Sequence, residues 1–148
     1  MSTESTKIGV ITGEPAWDEL AGRWEQLLNA TPGAAAFQGF PFLRCWWRHF
    51  GGGKTPFVVT AIQGDRLVGA LPLQLVRRRL LGRKYRVLEF VGMPDELDRP
   101  RALVAGDDVE TLRSLLRAVA ARRSDWYILQ LDELEDTCWQ IDRIESWA

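Results

Sequence analysis

Histidine, cysteine and long apolar runs are scarce in this chain, and each scarcity excludes a class of protein. His49 is the only histidine, so neither a histidine pair nor a histidine-based metal cluster can form, and we expect no metal. Cys45 and Cys138 lie on predicted helices without metal-ligand spacing, which favours buried free thiols over a disulfide. No run approaches the ~18 apolar residues of a membrane span, and the first ten residues lack an apolar signal core. We therefore expect a soluble, cytoplasmic protein without a transmembrane segment.

An excess of charge of one sign is also missing. The formal net charge is −1, which gives no global electrostatic reason to expect nucleic acid or an anionic membrane as a partner. With 46% hydrophobic and 26% charged residues among 148, the composition is that of an ordinary globular domain. We expect one domain over residues 1–148 with a core of its own, and a disordered tail at residues 1–6.

The strongest pattern is a strand meander over residues 57–91. Apolar residues, many of them β-branched, fill 57–62 and 67–76, and a third strand is predicted at 85–91. Gly64 supplies the first turn. Pro72 lies inside the second strand, where it cannot donate a ladder hydrogen bond, so we expect a bulge or an edge-facing position there.

Helices are predicted on both sides of the meander. After a short strand at 7–11, a helix capped at Thr12 or Gly13 continues to residue 28, and another begins near Pro41 and ends at Gly51. Tryptophans at helical spacing are expected to pack on the sheet; they are Trp17, Trp24, Trp46 and Trp47.

The second half alternates in the same way. It reads as a loop at 93–100, a short strand at 101–105, a helix to about Arg123, a buried strand at 125–131 and a helix at 136–147. Asp107 with Glu110 resembles a capping box for the first of these helices. The order β-α-α-β-β-β-(β)-α-β-α, with one βαβ crossover near 101–131, predicts an α/β (α+β) fold with a mixed sheet.

Two segments, FQGFPFLRCWWRHFGGG and GDRLVGALPLQLVRRR, carry a family resemblance. They are similar to the N-terminal GNAT-like half of CelD/BcsL-type acetyltransferases, bacterial proteins linked to polysaccharide biosynthesis. The resembling residues are Phe37, Gln38, Trp46, Trp47, Phe50, Gly51, Gly64, Gly69, Leu71, Pro72 and Leu73. The resemblance implies a GNAT-like, mostly antiparallel sheet with helices on both faces. It also implies acetyl-CoA or another acyl-CoA as cosubstrate and an amine as acceptor.

Two departures from the GNAT pattern leave the function open. GNAT enzymes bind the CoA pyrophosphate on a glycine-rich loop before a helix, whereas this segment offers only Gly92 and Gly106, and Asp107 and Asp108 would repel an anion. The final strand hairpin of the family is also missing. The alternative to an acyl-CoA-dependent N-acyltransferase is therefore a non-catalytic GNAT-like module that binds a partner, forms a homodimer or pairs with a C-terminal domain.

Candidate chemistry is sparse, and the sequence assigns no catalytic or cofactor-binding residue. Glu89 lies where some GNAT enzymes place a general base, although a solvent-facing strand residue is the favoured interpretation. His49 is better explained by a helix C-terminus than by base catalysis, and Cys45 is expected to pack. By resemblance, backbone groups at 90–92, on a diverging strand, would orient the thioester.

A basic cluster brackets the turn at Leu80, Leu81 and Gly82. It consists of Arg77, Arg78, Arg79, Arg83, Lys84 and Arg86. The favoured interpretation is a solvated hairpin tip whose charges discourage edge aggregation. The functional alternative is contact with an anion, namely a lipid headgroup, a polyphosphate or an acidic partner.

Overall fold

The computed structural model of the chain describes residues 4–93 and 100–131, and six strands of this part form one sheet. The elements are β1 (Thr6–Ile11), α1 (Glu14–Asp18), α2 (Ala21–Ala30), α3 (Phe40–Phe50), β2 (Thr55–Gln63), β3 (Arg66–Leu80), β4 (Arg83–Phe90), β5 (Leu103–Val104), α4 (Val109–Ala121) and β6 (Ile128–Gln130). The sheet order is β1-β2-β3-β4-β6, with β5 paired to β3. Only β4 and β6 are parallel. The predicted mixed, mostly antiparallel α/β fold is confirmed.

The two hairpins of the meander form as the turn residues predict. Gly64, with φ of 58°, connects β2 to β3. Leu81 and Gly82, with φ of 51° and 79°, form a two-residue loop between the paired residues Leu80 and Arg83. Positive φ at both positions matches the right-handed twist of a hairpin. Near the N-terminus of the chain, β1 begins at Thr6, the last residue of the expected disordered tail.

Helices cover both faces of the sheet, as the resemblance implies. Helices α1 to α3 bury the four predicted tryptophans with Leu27 and Leu43 against Val58, Ala70 and Leu103. Helix α4 buries its leucines on the opposite face against Phe57, Val59, Leu71, Leu73, Leu88 and Phe90. The alternation of side chains along β2 to β4 separates these two layers.

Two helix predictions are wrong in detail. The helix expected from residue 13 to 28 is divided into α1 and α2 by a tightened turn, in which Leu20 N–H donates to the Trp17 carbonyl at 3.0 Å. The capping box at Asp107 does not form, because Asp107 has φ of 53° and α4 begins after Asp108. The Asp108 carboxylate accepts the Thr111 hydroxyl instead, at 2.7 Å.

Pro72 is neither at a bulge nor at an edge. It pairs with Val58 inside the sheet and is buried, and its carbonyl accepts the Val91 N–H at 3.0 Å. In an antiparallel ladder the N–H and C=O of one residue face the same neighbour, so the proline nitrogen faces the end of β4. Because β3 changes partner from β4 to β5 between Leu73 and Ala70, proline costs the sheet little there.

The end of the described chain departs from the predicted boundaries. The parallel pair of the crossover is β4 and β6, connected through α4, whereas β5 pairs antiparallel with β3. The predicted buried strand at 125–131 is reduced to three half-buried residues in β6. The predictions for most of the 93–100 loop and for the helix at 136–147, with Cys138, lie outside the described residues.

Candidate active site at the end of the fourth strand

Glu89 is a buried carboxylate near the end of β4. It is 2% exposed, which overturns the expectation of a solvent-facing residue. The Glu89 side chain projects from the same face of the sheet as Val91, two residues on, which packs in the layer under α1 to α3. Glu89 pairs with Gln74 on β3 and with Gln130 on β6, so β4 is also an internal strand at this point. Arg78 Nη2 donates to Glu89 Oε2 at 2.6 Å, and this charge pairing offsets the cost of burying the carboxylate.

Gln74 completes the cluster and carries an unsatisfied acceptor. Its side chain is fully buried, and its Nε2 donates to Glu89 Oε1 at 2.9 Å and to the Met93 carbonyl at 3.4 Å. Among the described residues, Gln74 Oε1 has no hydrogen-bond partner. A buried acceptor left unpaired costs about 1–3 kcal/mol, so this oxygen is available to an N–H or O–H donor beside a carboxylate.

Arg78 connects the buried pair to the protein surface. Its side chain is 38% exposed, and Nη1 also donates to Gln130 Oε1 at 3.4 Å. Cross-strand partners and alternate strand positions share a face, so the four polar residues project from the face that α1 to α3 cover elsewhere. They are Gln74, Arg78, Glu89 and Gln130. From the sequence, Glu89 was a candidate general base, and Arg78 was assigned to the basic cluster at a solvated hairpin tip, whereas here it pairs with the buried Glu89. Gln74 and Gln130 were not recognised, although Gln74 interrupts the apolar run LPLQLV.

The strand ladders end next to this cluster. The ladder of β4 with β6 ends at Glu89, and the ladder with β3 ends at Phe90. Two of the backbone groups expected to orient a thioester are engaged, since Val91 N–H donates to Pro72 and the Phe90 carbonyl accepts Met93 N–H at 3.3 Å. Gly92, with φ of 105°, adopts a conformation that other residues rarely reach as the chain leaves the sheet.

The N-terminus of α4 does not fit a pyrophosphate. Asp108 caps the helix, Glu110 lies in its first turn, and Asp107 precedes both. The helix dipole favours these carboxylates, and their charge opposes the binding of a further anion. Arg101 donates to Asp107 at 3.4 Å and to the Pro32 carbonyl at 3.0 Å, so its guanidinium is already engaged.

The remaining candidates are not part of the cluster. His49 lies in the last turn of α3, as predicted, with Nδ1 at 2.8 Å from the Cys45 carbonyl oxygen. Cys45 is a free thiol, but it is exposed rather than packed, because Leu43, Trp46 and Trp47 occupy the core face of the helix. Within the described ranges, no cluster of three metal-ligating side chains occurs, and no helix is long and apolar enough to cross a membrane.

The fold is shared with solved acetyltransferases of the GNAT type. A ribosomal-protein-alanine N-acetyltransferase from Brucella melitensis biovar Abortus 2308 matches 97% of this chain and 89% of its own, with TM-score 0.57 and 10% identity. A Trypanosoma brucei acetyltransferase matches 95% of this chain and 91% of its own, with TM-score 0.55 and 12% identity. An aminoglycoside acetyltransferase from an uncultured soil metagenomic sample, solved with sisomicin, matches 95% of this chain and 86% of its own, with TM-score 0.52 and 11% identity.

These likenesses establish the GNAT fold. In sequence, neither a protein-family model nor a curated protein matches the chain significantly.

Proposed function

We propose that this domain is an N-acyltransferase that binds the amine of its acceptor between Glu89 and Gln74. The observation that carries the proposal is the unpaired Gln74 Oε1 beside the buried Glu89 carboxylate. A protonated amine has N–H donors and no acceptor, so it satisfies both oxygens, and its charge is opposite to that of Glu89.

In this mechanism Glu89 acts as the general base. Its carboxylate takes a proton from the bound ammonium, and the neutral amine nitrogen then attacks the acyl carbonyl carbon of the thioester. The carbon–sulfur bond breaks, and the departing thiolate takes the second proton that the nitrogen loses, so the products are the amide and a free thiol. Gln74 Nε2 and Arg78 Nη2 each hold one carboxylate oxygen, at 2.9 Å and 2.6 Å. These two bonds fix the direction in which the remaining lone pairs of Glu89 face.

The acyl donor and the acceptor class both rest on the family resemblance. Acyl-CoA is implied by the resemblance, and we derive no phosphate contact because Asp107 and Asp108 do not fit one. An amine of polysaccharide or cell-envelope biosynthesis is the acceptor class that we propose, because the resembling family is linked to polysaccharide biosynthesis.

Replacement of Glu89 by glutamine tests the proposal. We expect Glu89→Gln to lower kcat/KM by about a hundredfold or more, measured by acetyl transfer to a panel of amino sugars, amino acids and polyamines. Both acetyl-CoA and S-acetylpantetheine serve as donors, since the latter has no pyrophosphate. Glu19→Gln, the same change at an exposed site at the end of α1, should keep the wild-type rate. Wild-type turnover by Glu89→Gln would refute the role of Glu89.

A non-catalytic GNAT-like module is the second candidate, favoured by the three carboxylates at the start of α4. Calorimetric titration separates the two functions. Micromolar binding of acetyl-CoA or S-acetylpantetheine supports the enzyme, whereas no binding of either at millimolar concentration supports a module that acts through a partner. Light scattering then shows whether a second copy of the chain is that partner.

A further inference from the structure

Residues 77–86 form a two-stranded ribbon, here called the basic ribbon, that extends beyond the rest of the sheet. The β2 ladder on β3 ends at Leu75, and the β6 ladder on β4 begins at Val87. Among the described residues, β3 and β4 pair between these limits only with each other, apart from one backbone bond from Tyr127 N–H to the Arg86 carbonyl. The residues of the basic ribbon are exposed except Arg78 and Tyr85, which are half-buried.

One face of the basic ribbon concentrates four positive charges. Arg77 lies directly opposite Arg86, and Arg79 lies directly opposite Lys84. Like charges in opposed positions destabilise a strand pair, and none of these four side chains has an acidic partner among the described residues. Arg77, Lys84, Tyr85 and Arg86 line a shallow depression of about 300 Å³. An external anion would relieve the repulsion.

The tip of the basic ribbon is apolar. Leu81 is 99% exposed and Leu80 is 57% exposed. Leu81 also has positive φ, at a turn position where asparagine, aspartate or glycine is normally preferred. The stability of the turn therefore does not explain a leucine at position 81. Charges that only discourage edge aggregation would not require an apolar tip either.

We propose that the basic ribbon docks this domain on an anionic phospholipid surface. The four cations approach the headgroup phosphates and carboxylates, and Leu80 and Leu81 enter the boundary between headgroups and acyl chains. A nucleic acid or an acidic protein would account for the charges but would leave the apolar tip in water. Within the basic ribbon, Arg78 contacts Glu89 of the candidate active site, but it projects from the face opposite the four cations. The four cations and the apolar tip are therefore separate from that site.

Vesicle co-sedimentation of the full chain tests this inference. We expect binding to phosphatidylcholine vesicles with about one third phosphatidylserine, no binding to phosphatidylcholine alone, and weakening by salt. Leu81→Asn should lower the partition constant about tenfold, while asparagine suits the turn and preserves the fold. The pair Arg79→Gln and Lys84→Gln should lower it by at least tenfold.

The matched control is Arg113→Gln with Arg117→Gln, which removes the same charge from exposed positions on α4. This control should bind like the wild type, and circular dichroism should show that every variant is folded. Wild-type binding by Leu81→Asn, or equal losses in the control and ribbon variants, would overturn the proposal, and so would absence of binding by the wild type.

Discussion

Arg44, which is largely buried, joins α3 to α1 through two carboxylates that are each about half exposed. Its Nε and Nη2 donate to the two Asp18 carboxylate oxygens at 2.6 Å and 3.2 Å, and Nη1 donates to Glu14 Oε1 at 3.1 Å. The guanidinium also lies 5.0 Å from the centre of the Trp17 ring, and the side chain is only 12% exposed. The hydrogen bond with Asp18 is the largest cause of a raised Arg44 pKa.

We expect Arg44→Ala to lower the free energy of unfolding by about 1–2 kcal/mol, through loss of a bidentate pair and a cation–π contact. Urea titration measures the loss of stability, and Arg48→Ala, on the exposed side of the same helix, should cost little.

A pKa raised by folding contributes stability at every pH below the unfolded value, and that contribution is lost only as pH rises through the folded pKa. Since the pKa of an arginine lies far above neutral pH and folding raises it further, the arginine's contribution should be constant between about pH 6 and pH 9. A loss that disappears toward pH 9 would contradict this assignment.

At the scale of elements, Gly69 sets the distance between β3 and α4. A Cβ atom at this position would lie 2.6 Å from Thr111 Cγ2 and 3.2 Å from Leu115 Cδ1, and 3.3 Å from the Ala61 Cβ on β2. The first of these separations is far below van der Waals contact. The helix can therefore lie this close to the sheet only because residue 69 has no side chain.

Gly69→Ala should destabilise the fold by about 1–3 kcal/mol, because α4 has to move or its side chains have to leave their preferred rotamers. Thermal unfolding followed by circular dichroism measures the effect. Gly52→Ala is the matched control, since its Cβ would meet nothing within 4 Å. Equal stability of the two variants would show that α4 does not depend on this close approach.

At the scale of the whole molecule, one sheet supports both apolar layers. Strands β2 and β3 contribute residues to both layers, whereas β4 contributes Leu88 and Phe90 to the layer under α4. Loss of either helix layer would expose sheet residues that the other layer also needs in place. The single domain expected from the sequence therefore predicts one cooperative transition.

Urea unfolding followed by two signals checks that prediction. Tryptophan fluorescence reports chiefly on the α1 to α3 layer, which holds four of the seven tryptophans, and far-ultraviolet circular dichroism reports on all elements. We expect coincident midpoints. A separate fluorescence transition would mean that the two layers unfold independently.

The candidate site was predictable in part. A two-residue loop at Leu81 and Gly82 makes Leu80 the partner of Arg83, and counting back along both strands pairs Gln74 with Glu89. The sequence locates this turn only to within a residue, and a shift of one residue moves every side chain to the other face. Glu89 was therefore interpreted as solvent-facing, and Gln74 was not recognised as its partner.

The sequence by itself determined the sheet-forming meander, the helices that cover it and the tryptophans that fill one layer, because these follow from periodicity and turn residues in short segments. Only the tertiary structure decided that Glu89 is buried, that Gln74 retains an unpaired oxygen beside it, and that Pro72 lies where β3 changes partner. Glu89 and Pro72 lie beside β6 and β5, strands of three and two residues whose pairing is set by distant contacts rather than by local pattern.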